Sequence, residues 1–395
     1  MAWMTKRKDL GIAKVVPHAH CNPAVIGRAP GIGAINFSPL ALFGAAARCS
    51  HLHLVNPAIV TPESLMIAAL VEQHVDDVKN DFAIEASADS LKDYVKSYFA
   101  GTVATGLSYL KMIHDGYVWS DHFENLGGGS SGTGKTPDFV FAGFGTGVAL
   151  VESKGSRGRT PSAFDARVRD GYTDQVEPHL GHAVGGVTAT HGYCIGAYLR
   201  STSKADLRIH HTAVPVSGNA SGGADPPSIS VVQQGNYARA FAMAHSDTLG
   251  RTILDGDGPV RVPFVRFGWR GLNWLSSYVF GPFGIGPGWF MDHFPEFERR
   301  LPRWWIGDRH GPTFGFAIEE RIALAALSRF LPADFSKDES EYPLEIPILP
   351  LDSEVGSRER PDGDVFPDGL AVVTLETKYD NLQPVIWERK TGRLS

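Results

Sequence analysis

The run Pro137-Asp138-Phe139-Val140-Phe141, a glycine-punctuated turn and the return Val148-Ala149-Leu150-Val151-Glu152-Ser153-Lys154 constrain this chain more than any other feature. Phe139 and Phe141 alternate with Asp138 and Val140, the period-two pattern of a half-buried strand. Gly143, Gly145 and Gly147 supply the backbone freedom of a turn. With the turn centred near Phe144-Gly145, Ala142 faces Val148, and the register sets Val140 opposite Leu150 and Asp138 opposite Glu152. Cβ atoms of such opposed residues lie ~5 Å apart. Lys154 shares the face of Glu152, two residues on. A one-residue slip would turn the two acids to opposite faces.

Two facing carboxylates are costly unless something neutralises them. A hard, oxygen-preferring cation such as Mg²⁺ (or Mn²⁺) does so. Asp138 and Glu152 are then its side-chain ligands, and the backbone carbonyl of Ser153 is a third oxygen at the strand edge. Such an ion polarises a phosphoryl oxygen and lowers the pKa of a bound water, while Lys154 steadies the developing charge or positions the nucleophile. Metal-dependent phosphodiester hydrolysis is therefore the chemistry expected of the hairpin. The short pattern alone is uninformative, because acid-x-Lys begins at Asp77, Glu152, Glu376 and Glu388. Its longer form recurs as Pro367-Asp368 and Glu376-Thr377-Lys378, but residues 369–375 carry no turn signal after Gly369. Eight residues of continuous strand span ~26 Å, too far for a shared ion.

In these residues the chain resembles the PD-(D/E)XK nuclease superfamily, the restriction-endonuclease-like fold. Its order of elements also fits: a helix over about Ser90–Asp115, with Leu91, Tyr94, Val95, Tyr98 and Phe99 at helical spacing, then the hairpin, a second helix over about Ala163–Leu180, and a strand in Gly192–Leu199. The likeness covers roughly Ser90 to Val214. It implies an α/β domain, a restriction-endonuclease-like core with a mixed central β-sheet flanked by helices. N-terminal, aromatic-rich and C-terminal additions surround it. It further implies catalytic roles for Asp138, Glu152 and Lys154, and a supporting role for Gln175, since many members place a glutamine near the metal. Members often add an acid from the preceding helix. Asp115, Asp121 and Glu124 all remain open for that role. DNA is the substrate such proteins mostly cut, in settings such as bacterial restriction, phage defence and repair. Lys154, Arg157, Arg159, Arg167 and Arg169 lie within sixteen residues against only Asp165 among the acids, a basic loop suited to phosphates. A homodimer or a partner subunit would extend it into a groove.

Other readings compete. Gly129 to Thr136 matches the phosphate-binding P-loop pattern, which would make the chain a nucleotide hydrolase. That motif needs a buried strand before it and a helix after it, whereas Asp121–Leu126 is polar and Pro137 opens a strand pattern. A noncatalytic interaction protein is the other alternative, docking through its aromatic region. His18-x-His20-Cys21 and Cys49-x-His51-x-His53 lack the usual spacing of structural zinc ligands.

The chain has 395 residues, 43% hydrophobic and 20% charged, with a formal net charge of -6: globular, and not a globally basic nucleic-acid binder. Three cysteines, Cys21, Cys49 and Cys194, suit a reducing, cytoplasmic setting. The start does not read as a signal peptide, and Gly271–Met291 holds too many Gly and Pro breakers for a membrane-spanning helix. Four regions are expected: an irregular segment over 1–60, a nuclease-like domain over 61–260, an aromatic, Gly/Pro-rich insertion and helix over 261–330, and a C-terminal extension over 331–395. Helices are expected from Pro62 to about Val78 with Thr61 as N-cap, from Val231 to Leu249, and from Ala317 to Phe330. Ser217–Pro227 reads as a linker. A C-terminal hairpin would join Leu370–Lys378 to Pro384–Lys390.

Overall fold

The computed structural model describes residues 3, 6–20, 29–55, 67, 69–130, 134–143, 147–200, 204–214, 230–257, 261–277, 314–332, 345–350, 363–374 and 380–395. The chain divides into two compact units, residues 1–52 with 67–236, and residues 53–66 with 237–395.

The first unit is α/β. Its mixed sheet contains β1 (Lys8–His18), β2 (Ile35–Phe37), β3 (Trp119–His122), β4 (Phe139–Ala142), β5 (Val148–Ser156), β6 (Ala183–Val184), β7 (Val187–Tyr198) and β8 (Asp206–Thr212). The order is β2-β1-β8-β7-β5-β4-β3, with β6 paired to β7. β1 runs parallel to β8 and β5 parallel to β7, while the other pairs are antiparallel. Its helices include α1 (Pro39–Cys49), α2 (Asp93–His114), the single turn α3 (Phe123–Leu126) and α4 (Pro161–Gly171).

Two glycines set how closely the long helices approach the sheet. A Cβ on Gly155 of β5 would stand 2.0 Å from the Ala100 carbonyl oxygen of α2. A Cβ on Gly171, at the end of α4, would meet Cys194 Sγ at 2.8 Å and Lys154 Cε at 2.9 Å. Neighbouring residues of a strand point to opposite faces, so contact at Gly155 and contact at Lys154 place α2 and α4 on opposite sides of the sheet. Thr160 caps α4 by accepting from the Ala163 N–H at 3.3 Å, with Pro161 in the first turn, where its missing N–H costs nothing.

The described part of residues 1–60 holds regular elements where an irregular segment was expected. β1 and β2 are strands of the main sheet, and α1 is buried along its whole length. Ser38 caps α1 through the Ala41 N–H at 3.0 Å, followed by Pro39. A helix buried on every side shows no polar stripe, so no periodicity announced it. In α2 the expected bounds are close, but Tyr94 and Tyr98 are 78% and 44% exposed, and the core side begins at Phe99 with Val103, Ala104 and Leu107. The helix expected from Pro62 is described at Ile67 and from Ala69 to His74, where it ends rather than at Val78. Its start and Thr61 lie outside the described residues, as does the Ser217–Pro227 linker.

The second unit carries an antiparallel sheet of β9 (Arg261–Trp269), β10 (Leu272–Ser276), β11 (Phe314–Glu319), β12 (Gly363–Val365), β13 (Leu370–Thr374), β14 (Asp380–Glu388) and β15 (Arg393–Leu394), in the order β12-β13-β11-β10-β9-β14-β15. With it go α5 (Ser230–Ala244), whose first residues belong to the first unit, α6 (Asp247–Asp255) and α7 (Glu320–Phe330). This sheet corrects three expectations. Residues 261–276 form a hairpin of β9 and β10, not an insertion, and its two-residue turn, Arg270-Gly271, has φ of 51° and 74° as a type I′ turn requires. The remainder of the aromatic run, 278–313, lies outside the described residues. The expected hairpin of residues 370–378 with 384–390 does not form, because β13 pairs with β11 and β12 whereas β14 pairs with β9 and β15. Residues 317–319 are strand, and the helix starts only after Glu319, whose carboxylate accepts from the Ile322 N–H at 2.9 Å. The helix expected over 231–249 breaks after Ala244 and restarts when Ser246 caps α6 through the Leu249 N–H at 3.2 Å. Among the described residues no helix is long and apolar enough to cross a membrane.

Candidate functional site

β4 and β5 pair in the register read from the sequence, with Val140 opposite Leu150 and Phe139 opposite Val151. Asp138 sits one residue before β4, so the same ladder continued brings it beside Glu152. Its Oδ2 accepts from the Ser153 N–H at 2.8 Å. In a strand the N–H and C=O of one residue point to the same edge, so the Ser153 carbonyl faces the Asp138 side as well. The Ser153 hydroxyl points to the opposite face, where Ser108 Oγ of α2 donates to it at 3.1 Å.

Glu152 is buried at the centre of this arrangement. Its Oε1 accepts from Lys154 Nζ. Its Oε2 is a buried oxygen that no well-formed hydrogen bond satisfies, with the main chain and carboxyl of Asp138 close beside it. Lys154 Nζ also donates to Gln175 Oε1 at 2.8 Å, and Gln175 Nε2 donates to the Thr136 carbonyl at 3.0 Å. Gln175 therefore ties the ammonium to the segment that leads into Asp138. It stands in a π-helical turn, Tyr172–Val176, continuous with α4. Such wide turns recur at functional sites because the extra residue re-aims the side chains around it.

The electrostatics are unbalanced. Burial first, and then the facing Asp138, pushes Glu152 up to about 8, against the pull of Lys154. Burial likewise raises Asp138, helped by the negative charge of Glu124 and opposed by the Ser153 N–H and Lys154. Two carboxylates thus share one ammonium, and at neutral pH the bare pair retains a proton. A cation in contact with both carboxylates would displace that proton and satisfy Glu152 Oε2.

The three upstream acids separate cleanly. Asp115 ends α2, pairs with Lys111 and accepts from the Gly31 N–H at 3.1 Å. Asp121 is buried in β3 and accepts from Asn125 Nδ2 at 3.0 Å and the His122 N–H at 2.8 Å. Glu124, exposed on α3, is the one of the three whose charge acts on Asp138. The basic loop is smaller than its sequence count. Arg157 is buried, donating to Asp89 Oδ1 at 3.0 Å and to the Glu85 carbonyl at 2.7 Å, so it holds the fold rather than a ligand. Arg169 is paired with Asp170, while Arg159 and Arg167 are exposed.

The P-loop-like stretch lacks that motif's setting. It is followed by β4 instead of a helix, and Lys135 forms an exposed pair with Asp174 at 2.8 Å. His179 fastens both of its ends: its Nδ1 accepts from the Ser130 N–H at 3.0 Å, and its Nε2 lies 3.0 Å from the Lys135 carbonyl. Of the residues weighed for zinc, His18 contacts His210 and Cys49 is buried. Among the described residues no group of three His, Cys, Asp or Glu side chains gathers around one point. Glu376 and Lys378 of the C-terminal echo lie outside the described residues.

No family model, no curated protein and no solved structure matches this chain. Its fold defines an α/β protein with a second, antiparallel sheet, and the functional reading rests on the geometry of the site.

Proposed function

We propose that the chain is a metal-dependent nuclease that hydrolyses phosphodiester bonds in DNA, built on a restriction-endonuclease-like core. The observation that carries this reading is the convergence of Asp138, Glu152 and Lys154, with a buried Glu152 oxygen that no well-formed hydrogen bond satisfies. The order of α2, β4–β5, α4 and β7 around a mixed sheet supports it. Asp138, Glu152 and the Ser153 carbonyl would hold Mg²⁺ or Mn²⁺. Three protein oxygens suit an ion that keeps several water or phosphate ligands of its own. Bound there, the ion would polarise the scissile phosphate and acidify a water molecule.

The chain's own residues supply the rest. Lys154 directs a fixed positive charge at the face where a phosphate would sit. Gln175 keeps that ammonium in place through its second bond to Thr136. Arg159 and Arg167 offer exposed cations for flanking phosphates. Bacterial restriction or phage defence is the setting in which such an activity serves, and a second copy or a partner subunit would lengthen the contact with DNA.

Supercoiled plasmid incubated with the purified chain and Mn²⁺ or Mg²⁺ tests the proposal. Nicking or linearisation is expected. Glu152→Ala should abolish it, and Lys154→Ala should lower it by about 10²–10³-fold. Calorimetric titration with Mn²⁺ should show binding with proton release, absent in Glu152→Ala. Cleavage that persists in both variants would reject the assignment.

A further inference from the structure

A second chain of titratable groups lies on the same face of the sheet, towards β1 and β8. His18 closes β1 and stands in register with Thr212 of β8, two residues beyond His210. His18 Nε2 is 2.7 Å from His210 Nδ1, and His210 Nε2 is 3.5 Å from Asp165 Oδ1 of α4. Asp165 is also ion-paired with Lys14. The His18 ring stacks on Tyr172, with centroids 4.5 Å apart and planes at 21°. The Tyr172 hydroxyl is fixed in turn by Thr212 Oγ1 at 2.9 Å.

Hydrogen-bond logic assigns the protons. Asp165 is an acceptor, since burial is outweighed by Lys14 and His210 and its carboxyl is held below the usual range. His210 therefore carries its proton on Nε2 and accepts at Nδ1, so His18 must donate from Nε2. That leaves a lone pair on His18 Nδ1, on a half-buried ring, whereas His210 is buried. The groups facing the two rings are Lys14 from β1, Asp165 and Arg169 from α4, Tyr172 from the π turn, Glu177 beyond it, and His211 from β8. Burial holds both imidazoles neutral, the state in which they accept protons.

We infer that Asp165, His210 and His18 form a second acid–base centre, which presents His18 Nδ1 as proton acceptor to a hydroxyl-bearing ligand or a bound water. The transfer balances without a co-reactant. The ligand's proton passes to His18 Nδ1, the His18 Nε2 proton passes to His210 Nδ1, and the positive charge settles on His210 beside the Asp165 carboxylate. The bond broken is the ligand's O–H, and its electron pair stays on the oxygen. Nothing in this step depends on Asp138 or Glu152, so it stands or falls apart from the nuclease reading.

The full-length chain labelled with ¹⁵N tests the assignment. Long-range ¹H–¹⁵N spectra should show both His18 and His210 protonated on Nε2 when neutral. Asp165→Asn should lower the apparent pKa of the pair by about one unit, and Lys14→Met, which leaves Asp165 in place, should raise it. Diethyl pyrocarbonate with peptide mass mapping should modify His18 before His191, His210 and His211, and more slowly in Asp165→Asn. Glu152→Ala should change none of these readings. The inference is overturned if His18 carries its proton on Nδ1, if neither variant moves the pair, or if His18 reacts no faster than the buried histidines.

Discussion

Lys111–Asp115 and Lys154–Glu152 are both lysine–carboxylate pairs of the first unit with a buried carboxylate, yet their surroundings differ. Lys111 and Asp115 lie one helical turn apart in α2, and the second Asp115 oxygen accepts from the Gly31 N–H. Lys111 bonds one Asp115 oxygen and the Gly31 N–H the other, so both carboxylate oxygens are satisfied. At Lys154 one ammonium serves two carboxylates, and no well-formed hydrogen bond satisfies Glu152 Oε2. A closed pair stabilises a fold, whereas an open one keeps capacity for a ligand. Burial alone does not separate structure from function; charge balance and satisfied valence do.

Substitution should expose that difference. Lys111→Met takes the ammonium away from the buried Asp115 carboxylate and should destabilise the protein by about 3–5 kcal/mol in denaturant unfolding. Plasmid cleavage at a temperature where the variant stays folded should survive.

The open pair should respond with the opposite sign. In the metal-free protein Glu152 is raised to about 8, so the folded state keeps a proton that the unfolded chain loses near pH 4.5. The stabilisation is full below pH 4.5 and disappears as pH rises through about 8. Glu152→Gln, which cannot ionise, should flatten that decline and make the metal-free variant about 1–3 kcal/mol more stable than wild type at pH 8. Saturating Mn²⁺ should narrow the gap by stabilising only the wild type. A variant whose pH profile overlays the wild type would show that Glu152 is already balanced.

The smallest effect is expected one step out. Gln175→Leu removes the amide that holds Lys154 but no charge. Cleavage should fall by about tenfold while stability changes by about 1 kcal/mol. A loss as large as that of Lys154→Ala would give Gln175 a direct role on the substrate.

Much of the site was legible because a hairpin is a local object. Its turn glycines and its alternation place Asp138 against Glu152 within fifteen residues of chain, and period two fixes which side chains share a face. Gln175 was reachable only through the family resemblance, since nothing in its own neighbourhood marks it. The choice among Asp115, Asp121 and Glu124 could not be made from spacing, because the surroundings of two of them come from residues remote in sequence: Gly31 donates to Asp115, and the α5 residue Gly235 packs on the Asp121 side chain. Arg157 looked like a phosphate contact for the same reason, as its acceptors lie on Glu85 and Asp89. The Asp165–His210–His18 chain draws on α4, β8 and β1; the sequence sets His18 in a His-x-His pair and Asp165 as the acid of the basic loop, and nothing local joins them or adds His210.

By itself the sequence determined the local elements whose information is short-range: the β4–β5 register, the helix before it, a helical segment after it, and the acids and lysine that the hairpin brings to one face. Tertiary structure alone decided the rest. It enlisted β1, β2 and the wholly buried α1 into the core, sent β13 and β14 to different neighbours in the second sheet, and closed one lysine–carboxylate pair while leaving the other open. Strand partners distant in the chain are chosen by packing and hydrogen-bond satisfaction over the whole sheet, and no window of residues carries that information.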